Sequence, residues 1–366
     1  MTLKTLEVPE RAPAELLLRH SIPAEGWQLA DPYPMLRVGG MSPYRPTRRE
    51  FLIGAAGLLV LAPFGCGGES GEGGETTSGG THTIEHDLGT TEVPVNPQRV
   101  ATLTQFGLEY ALALDRPPVA APGSETLEVD YLKRRRRELD AVSTGDATEP
   151  NVEAVAAQQP DLIVARSNYI EQIYDELSEI APTVGLPVIL DWKRTFRFFA
   201  RVVGRQERAE EVLSAYEERV REVRAALGGR EAAQSIEVSV VRGRTGGMLR
   251  LYVSDSFSGL ILDEVGLSRP PSQDGTGGNR EISLERIELA DGDAIFVWTY
   301  SSDEAEAVGE LREDPLWERL DAVQSNRAYF VGSHWYGTGP LSANLVLDDL
   351  ERYLVQEGEG ASEGSS

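Results

Sequence analysis

Cysteine is nearly absent from this sequence. Cys66 is the one cysteine in 366 residues, so no disulfide can close within the chain, and a thiolate zinc cage is excluded for the same reason. Histidine is scarce too, with four residues. A bare zinc or manganese ion needs several His and carboxylate ligands converging on it. Here His20 lies in a prefix that reads as dispensable, His82 and His86 lie near a linker, and only His334 falls at a predicted ligand-facing edge. Basic charge is in deficit: 35 Lys and Arg stand against 59 Asp and Glu, a formal net charge of −24. Nucleic acid is therefore excluded as a partner, because phosphates demand clustered Lys and Arg. Signatures of catalysis are missing as well, with no Gly-x-Ser-x-Gly elbow and no phosphate-cradling Gly-Lys-Ser/Thr loop. The glycine-rich stretch Gly275-Thr276-Gly277-Gly278-Asn279 follows a Pro-Pro turn rather than a strand and reads as a mobile loop. No acid–base pair stands out. An enzyme is not expected.

The amino-terminal part reads as an export signal. Arg48 and Arg49 precede an apolar run from Phe51 to Phe64, too short to span a bilayer, which takes about 20 apolar residues. A charged segment before a short apolar stretch is the secretory pattern, and this one resembles the twin-arginine type, although Ile53 stands in the region of the usual late lysine. Cys66, followed by Gly67 and Gly68, resembles the lipidated cysteine of a bacterial lipoprotein. The preceding Pro63-Phe64-Gly65 lacks the usual leucine, and a free thiol is the alternative. Residues 1–40 thus read as an over-extended start and 41–65 as a twin-arginine-type lipoprotein signal. Residues 66–81, rich in Gly, Ser, Glu and Thr, read as a flexible tether reaching about 20 Å. Residues 357–366 read as a disordered tail with nothing to bury.

Between these ends the sequence echoes itself without a gap. Asn151-Val152-Glu153-Ala154-Val155 leads to Asp161-Leu162-Ile163-Val164, and Ser283-Leu284-Glu285-Arg286-Ile287 leads to Asp293-Ala294-Ile295-Phe296 at the same spacing. Each copy predicts a helix opened by a capping Asn or Ser, then a buried strand. Another strand and helix precede each copy, at 99–104 with 106–114 and at 236–241 with 257–267. Strands alternating with helices predict two α/β lobes with parallel sheets, an N-terminal lobe at 82–191 and a C-terminal lobe at 231–356. The connector, 192–230, contains Ala209, Val212, Leu213, Tyr216, Val220, Val223 and Leu227 at helical spacing, with no Pro or Gly from Arg205 to Leu227. One helix of about 35 Å fits that stretch, stopped by Gly228 and Gly229. The predicted architecture is two parallel-sheet lobes joined by one long α-helix, with a ligand cleft between them.

Taken together, these features resemble the substrate-binding proteins of iron–siderophore and cobalamin ABC importers, over Ile84 to about Leu354. The carrying stretches are Asn96–Val100, Glu149–Glu153, Gln159–Ile163, Ile180–Thr183, Ile282–Glu285, Asp314–Trp317 and Leu347–Leu350. The resemblance implies a monomeric receptor, held at the outer face of the cytoplasmic membrane by a lipid anchor. It would capture a ferric siderophore as transported ligand, use no intrinsic cofactor, and deliver the chelate to a permease and its ATPase. It further implies that Glu153 and Glu285 meet arginines of the permease. A carboxylate favoured in a first helical turn by the helix dipole is the plainer account of both.

In open parallel sheets ligands sit beyond the carboxyl ends of the strands. Those ends offer Gln105 and Phe106; Arg166, Asn168 and Tyr169; Arg242 and Arg244; Trp298 and Tyr300; and His334, Trp335 and Tyr336. Guanidinium groups supply forked donors to anionic oxygens and rings cover apolar parts, a mixture suited to a bulky anionic chelate. The candidate ligand residues are thus Phe106, Arg166, Tyr169, Arg242, Arg244, Trp298, Tyr300, His334, Trp335 and Tyr336, and the resemblance singles out Arg242. Haem or cobalamin, capped by His334, is the alternative ligand. The basic run Lys133-Arg134-Arg135-Arg136-Arg137 reads as a solvated helical face rather than an anion site.

Overall fold

The computed structural model describes residues 80–187 and 191–356. The expectations for the over-extended start, for the signal with Arg48 and Arg49, for Cys66, for the tether before Gly80 and for the 357–366 tail lie outside the described residues.

The described chain opens on a hairpin, β1 (Thr81–His86) paired antiparallel with β2 (Gly89–Pro94), which buries Ile84 and Val93. The N-terminal lobe is a five-stranded, wholly parallel sheet in the order β5-β4-β3-β6-β7. Its strands are β3 (Val100–Thr102), β4 (Ala120–Ala121), β5 (Val142–Ser143), β6 (Leu162–Arg166) and β7 (Thr183–Leu186). Leu162 to Ala165 are fully buried without alternation, as an interior strand covered on both faces requires. Thr104 caps the helix Gln105–Ala113 by accepting from the Phe106 N–H at 3.0 Å. Asn151 caps the helix Val152–Ala157 by accepting from the Ala154 N–H at 2.8 Å, as its position in the repeat predicts.

The C-terminal lobe is also five-stranded, in the order β10-β9-β8-β11-β12. Here β8 (Val238–Arg244), β11 (Ala294–Trp298) and β12 (Ala328–Phe330) run parallel. The expectation of a purely parallel second sheet needs one correction. β9 (Met248–Tyr252) turns back antiparallel on β8, and β10 (Asn279–Ser283) is antiparallel to β9. The turn between β8 and β9 contains Gly246 and Gly247 at φ of +73° and +67°, a left-handed pair that glycine adopts without steric cost. Ser283 departs from expectation as well. It ends β10 opposite Met248 and makes no side-chain cap, and the segment after it, Leu284–Ala290, is a 3-10 helix kinked at Arg286.

The connector contains the helix Trp192–Val202, a turn at Gly204, and the 21-residue helix Gln206–Ala226, about 31 Å long at 1.5 Å per residue. The predicted stripe from Ala209 to Val223 is its buried face, and Gly228 and Gly229, both at φ +90°, end it. The last α-helix, Pro340–Leu350, packs on this bridge and on helices of both lobes, Gln105–Ala113 and Phe257–Val265. One apolar cluster consequently runs behind the cleft from Tyr110, Phe196 and Phe199 to Val240, Phe296 and Trp335. Splaying the lobes would expose it. Each lobe has a second core of its own on the far side of its sheet. Among the described residues no helix is long and apolar enough to cross a membrane.

Candidate ligand-binding cleft

The carboxyl ends of β3 and β6 line a cleft whose opposite wall is the end of β9, the start of the helix Phe257–Val265 and the segment after β12, with the connector also contributing. It holds a cavity of about 210 Å³ within about 920 Å³ of free space running out to solvent. The N-terminal wall carries Phe106, Tyr110 and Arg166, the opposite wall Tyr252, Phe257, Trp335 and Tyr336, and the helix Trp192–Val202 closes the back with Trp192 and Thr195.

Arg166 is the exceptional cation. It ends β6, its guanidinium carbon lies 4.8 Å from the Phe106 ring centroid and 5.5 Å from that of Tyr169, and among the described residues it has no ion-pair or hydrogen-bond partner. Two rings hold it while its donors remain available.

The other predicted arginines are occupied. Arg242 forms a two-point pair with Glu304 at 2.6 and 3.1 Å and stacks 3.6 Å from the Tyr300 centroid. Burial works against its charge, but Glu304 outweighs that and holds the guanidinium above its ordinary value. Arg244 pairs with Glu281, which Arg250 also reaches at 2.7 Å, and does not line the cavity.

The aromatic candidates divide into cleft and core. Tyr336 lines the cavity and packs edge-on to Tyr300 at 5.0 Å and over Trp298 at 5.7 Å. Trp298 is 1% exposed, sits beneath Tyr252 and Tyr300, and has no hydrogen-bond partner for its indole nitrogen. Trp335 also borders the cavity but is otherwise enclosed, stacked 4.4 Å from Phe296 with its indole N–H donating to Asp349 at 2.8 Å. His334 is buried, its Nε2 2.8 Å from the same Asp349 oxygen, and does not line the cavity.

Several residues at the site carry no strand-end signal. Tyr110, Trp192 and Thr195 lie within helices, and Tyr252 ends the antiparallel strand β9. Glu128, in a loop, exchanges two hydrogen bonds with Gln105, at 3.1 and 3.0 Å. Burial pushes its carboxyl up, opposed by Gln105 and then by the charges of Arg242 and Arg166. Glu153 and Glu285 are both exposed, each in the first turn of the helical segment leading into an interior strand. A segment that runs back along its sheet starts near the strands' carboxyl ends, which puts both carboxylates on the cleft side of their lobes. The basic run occupies the helix Asp130–Glu138. Lys133 pairs with Asp130 and Arg135 with Glu138, whereas Arg136 turns inward and donates to the carbonyls of Pro122 at 2.8 Å and Ala141 at 3.0 Å. The solvated-face expectation therefore fails for Arg136, which shares the buried side of the helix with Tyr131 and Leu132.

An interlobe cleft with an unpaired guanidinium between rings defines a small-molecule receptor, and the sequence comparison agrees. Residues 100–334 match the family model of the periplasmic binding proteins, and the chain belongs to that family. It is 35% identical over 305 residues to the probable siderophore-binding lipoprotein YfiY of Bacillus subtilis, covering 79% of this chain and 92% of the relative. It is 29% identical over 268 residues to the achromobactin-binding periplasmic protein of Dickeya dadantii, covering 70% and 86%. Among solved structures it resembles Staphylococcus aureus SirA complexed with staphyloferrin B. The TM-score is 0.65 and the identity 30%, over 75% of this chain and 98% of that one.

Proposed function

We propose that the chain is the extracytoplasmic substrate-binding component of an ABC importer, capturing a ferric siderophore between its lobes and delivering it to the permease. The observation that carries this reading is Arg166, a cation with no direct ion-pair partner among the described residues, framed by Phe106 and Tyr169 at a cleft shared by both lobes. A ferric chelate with anionic oxygens meets the free guanidinium donors there, while the rings of Tyr252, Phe257 and Tyr336 cover its organic surface. The names of the relatives above support the same cargo. Haem or cobalamin is disfavoured because His334, the residue that would cap the metal, is buried against Asp349.

The continuous apolar floor behind the cleft favours small closure over a wide swing. Exposed Glu153 and Glu285 then offer one carboxylate per lobe to the permease. Acylation of Cys66 after export through the Arg48-Arg49 signal would keep this monomeric receptor at the outer face of the cytoplasmic membrane. The chain supplies no catalysis and no resident cofactor in this scheme. Titration with ferric hydroxamate, catecholate and carboxylate siderophores, alongside haemin, cobalamin and the iron-free chelators, tests it through tryptophan fluorescence. Saturable quenching by one ferric class is expected; tighter binding of haemin or cobalamin than of every ferric siderophore would overturn the assignment.

A further inference from the structure

Glu109 has no solvent contact and lies in the middle of the mainly apolar helix Gln105–Ala113. A carboxylate there is strongly unfavourable unless donors surround it. Those donors come from the far end of the chain: the Ser342 N–H at 2.8 Å, the Ser342 hydroxyl at 3.1 Å and the Thr338 hydroxyl at 3.1 Å. The helix they open, Pro340–Leu350, has Gly339 at its N-cap and thus no side chain of its own to satisfy its first-turn N–H groups. A carboxylate from the opposite lobe performs that service, in the place where the helix dipole favours negative charge. Beside it, Tyr110 donates to the Thr338 carbonyl at 2.7 Å, and the Tyr131 hydroxyl lies 3.2 Å from that of Ser342. The glycines of the segment make room for the contact. A Cβ on Gly339 would lie 2.9 Å from Glu109 Cδ, and one on Gly337 would lie 1.9 Å from Ser342 Cβ.

The segment that Glu109 holds is also a wall of the cleft, since Trp335, Tyr336, Gly337 and Thr338 line it across from Phe106 and Arg166. We propose that Glu109 is a positioning residue: without touching ligand, it fixes the Trp335–Thr338 wall in register with Phe106 and Arg166, so that the width of the cleft is set before ligand arrives. The proposal rests on the reading of the cleft as the ligand site, but the wall itself can be observed without ligand.

The test uses the full chain with Glu109→Gln, which keeps the size of the side chain and an acceptor for the Ser342 N–H. Leu345→Ala serves as control, removing packing between the same helix and the N-terminal lobe without touching Glu109. Amide hydrogen exchange is followed without ligand, and the Kd for each of ferric citrate and the ferric hydroxamate, catecholate and carboxylate siderophores is measured by fluorescence. Glu109→Gln is expected to melt cooperatively, to speed exchange at 335–342 at least tenfold over that of β6 and β11, and to raise the Kd about tenfold. Leu345→Ala is expected to lower Tm yet leave the Kd within twofold. If exchange at 335–342 in Glu109→Gln keeps pace with β6 and β11, or if both variants lose affinity only in proportion to their loss of stability, Glu109 is an ordinary structural contact and the proposal fails. A wild-type chain that binds no ferric chelate, with the wall still loosened selectively in Glu109→Gln, would sink the proposed function and leave the positioning role standing.

Discussion

Arg242 spends its charge on Glu304. The two side chains are 12% and 10% exposed, they meet at two points, and the Glu304 carboxylate also accepts the Tyr300 N–H at 2.8 Å. The arginine singled out by the family resemblance is thus held by an internal carboxylate and does not line the cavity. Arg242→Ala leaves Glu304 enclosed without its partner, a loss of about 3 kcal/mol or roughly 6–12 °C in Tm, so weakened ligand capture in that variant reports stability as much as contact. Glu304→Gln separates the two. It keeps the shape and releases the guanidinium, and it is expected to lower the Kd for ferric citrate about fivefold. An unchanged Kd would assign the pair to packing alone.

Glu109 makes stability depend on pH. Burial pushes its carboxyl above the ordinary 4.5, and the hydrogen bonds from Ser342, Tyr131 and Thr338 pull it back only in part. The titratable groups facing it, Tyr110 and Tyr131, are themselves raised well above 10.0 by burial and remain neutral donors. The folded state holds the Glu109 proton more tightly than the unfolded state does. Its contribution is therefore complete below about pH 4.5 and is lost as pH rises through the folded value. Urea melts of wild type and Glu109→Gln between pH 4 and 8 should show wild type losing ground to the variant as pH rises. A difference that is flat, or that slopes the other way, contradicts this environment for the carboxyl.

Glu153 and Glu285 are expected to matter for transport and not for capture. Both are exposed, and no ion pair holds either among the described residues, so reversing their charge should change stability by less than about 1 kcal/mol. With Glu153→Arg and Glu285→Arg combined, the Kd for ferric citrate should stay within twofold of wild type. Stimulation of the reconstituted permease's ATPase should fall more than tenfold. Full stimulation by the double variant would remove these carboxylates from the docking surface.

Local patterns carried the architecture, and distant pairings hid the rest. The stripe from Ala209 to Val223 announced the bridging helix because helical burial repeats at short range. Asn151 announced a helix start for the same reason. β9 was missed because its direction depends on the turn at Gly246 and Gly247, and a buried strand reads alike in either direction. A strand-end residue can turn toward the cleft or into the core, so Tyr336 and the wholly enclosed Trp298 looked equivalent. Glu304 is 62 residues from Arg242, and Glu109 is 229 from Thr338. No periodicity spans such separations. Of the three predicted arginines, Arg166 alone meets rings and no carboxylate among the described residues, so its strand-end position remains open to a ligand.

That freedom makes Arg166→Gln the most direct test of the account. Wild type and variant are titrated with the ferric siderophore panel while tryptophan fluorescence and Tm are recorded. Losing one or two charge-assisted hydrogen bonds of about 1.5–3 kcal/mol each should weaken binding at least ~10-fold, with Tm lowered by no more than about 4 °C, since Arg166 gives up ring contacts but no ion pair. A variant that binds the ferric siderophores as tightly as wild type, or a wild type quenched by none of them, would contradict a ferric-chelate receptor built around this guanidinium.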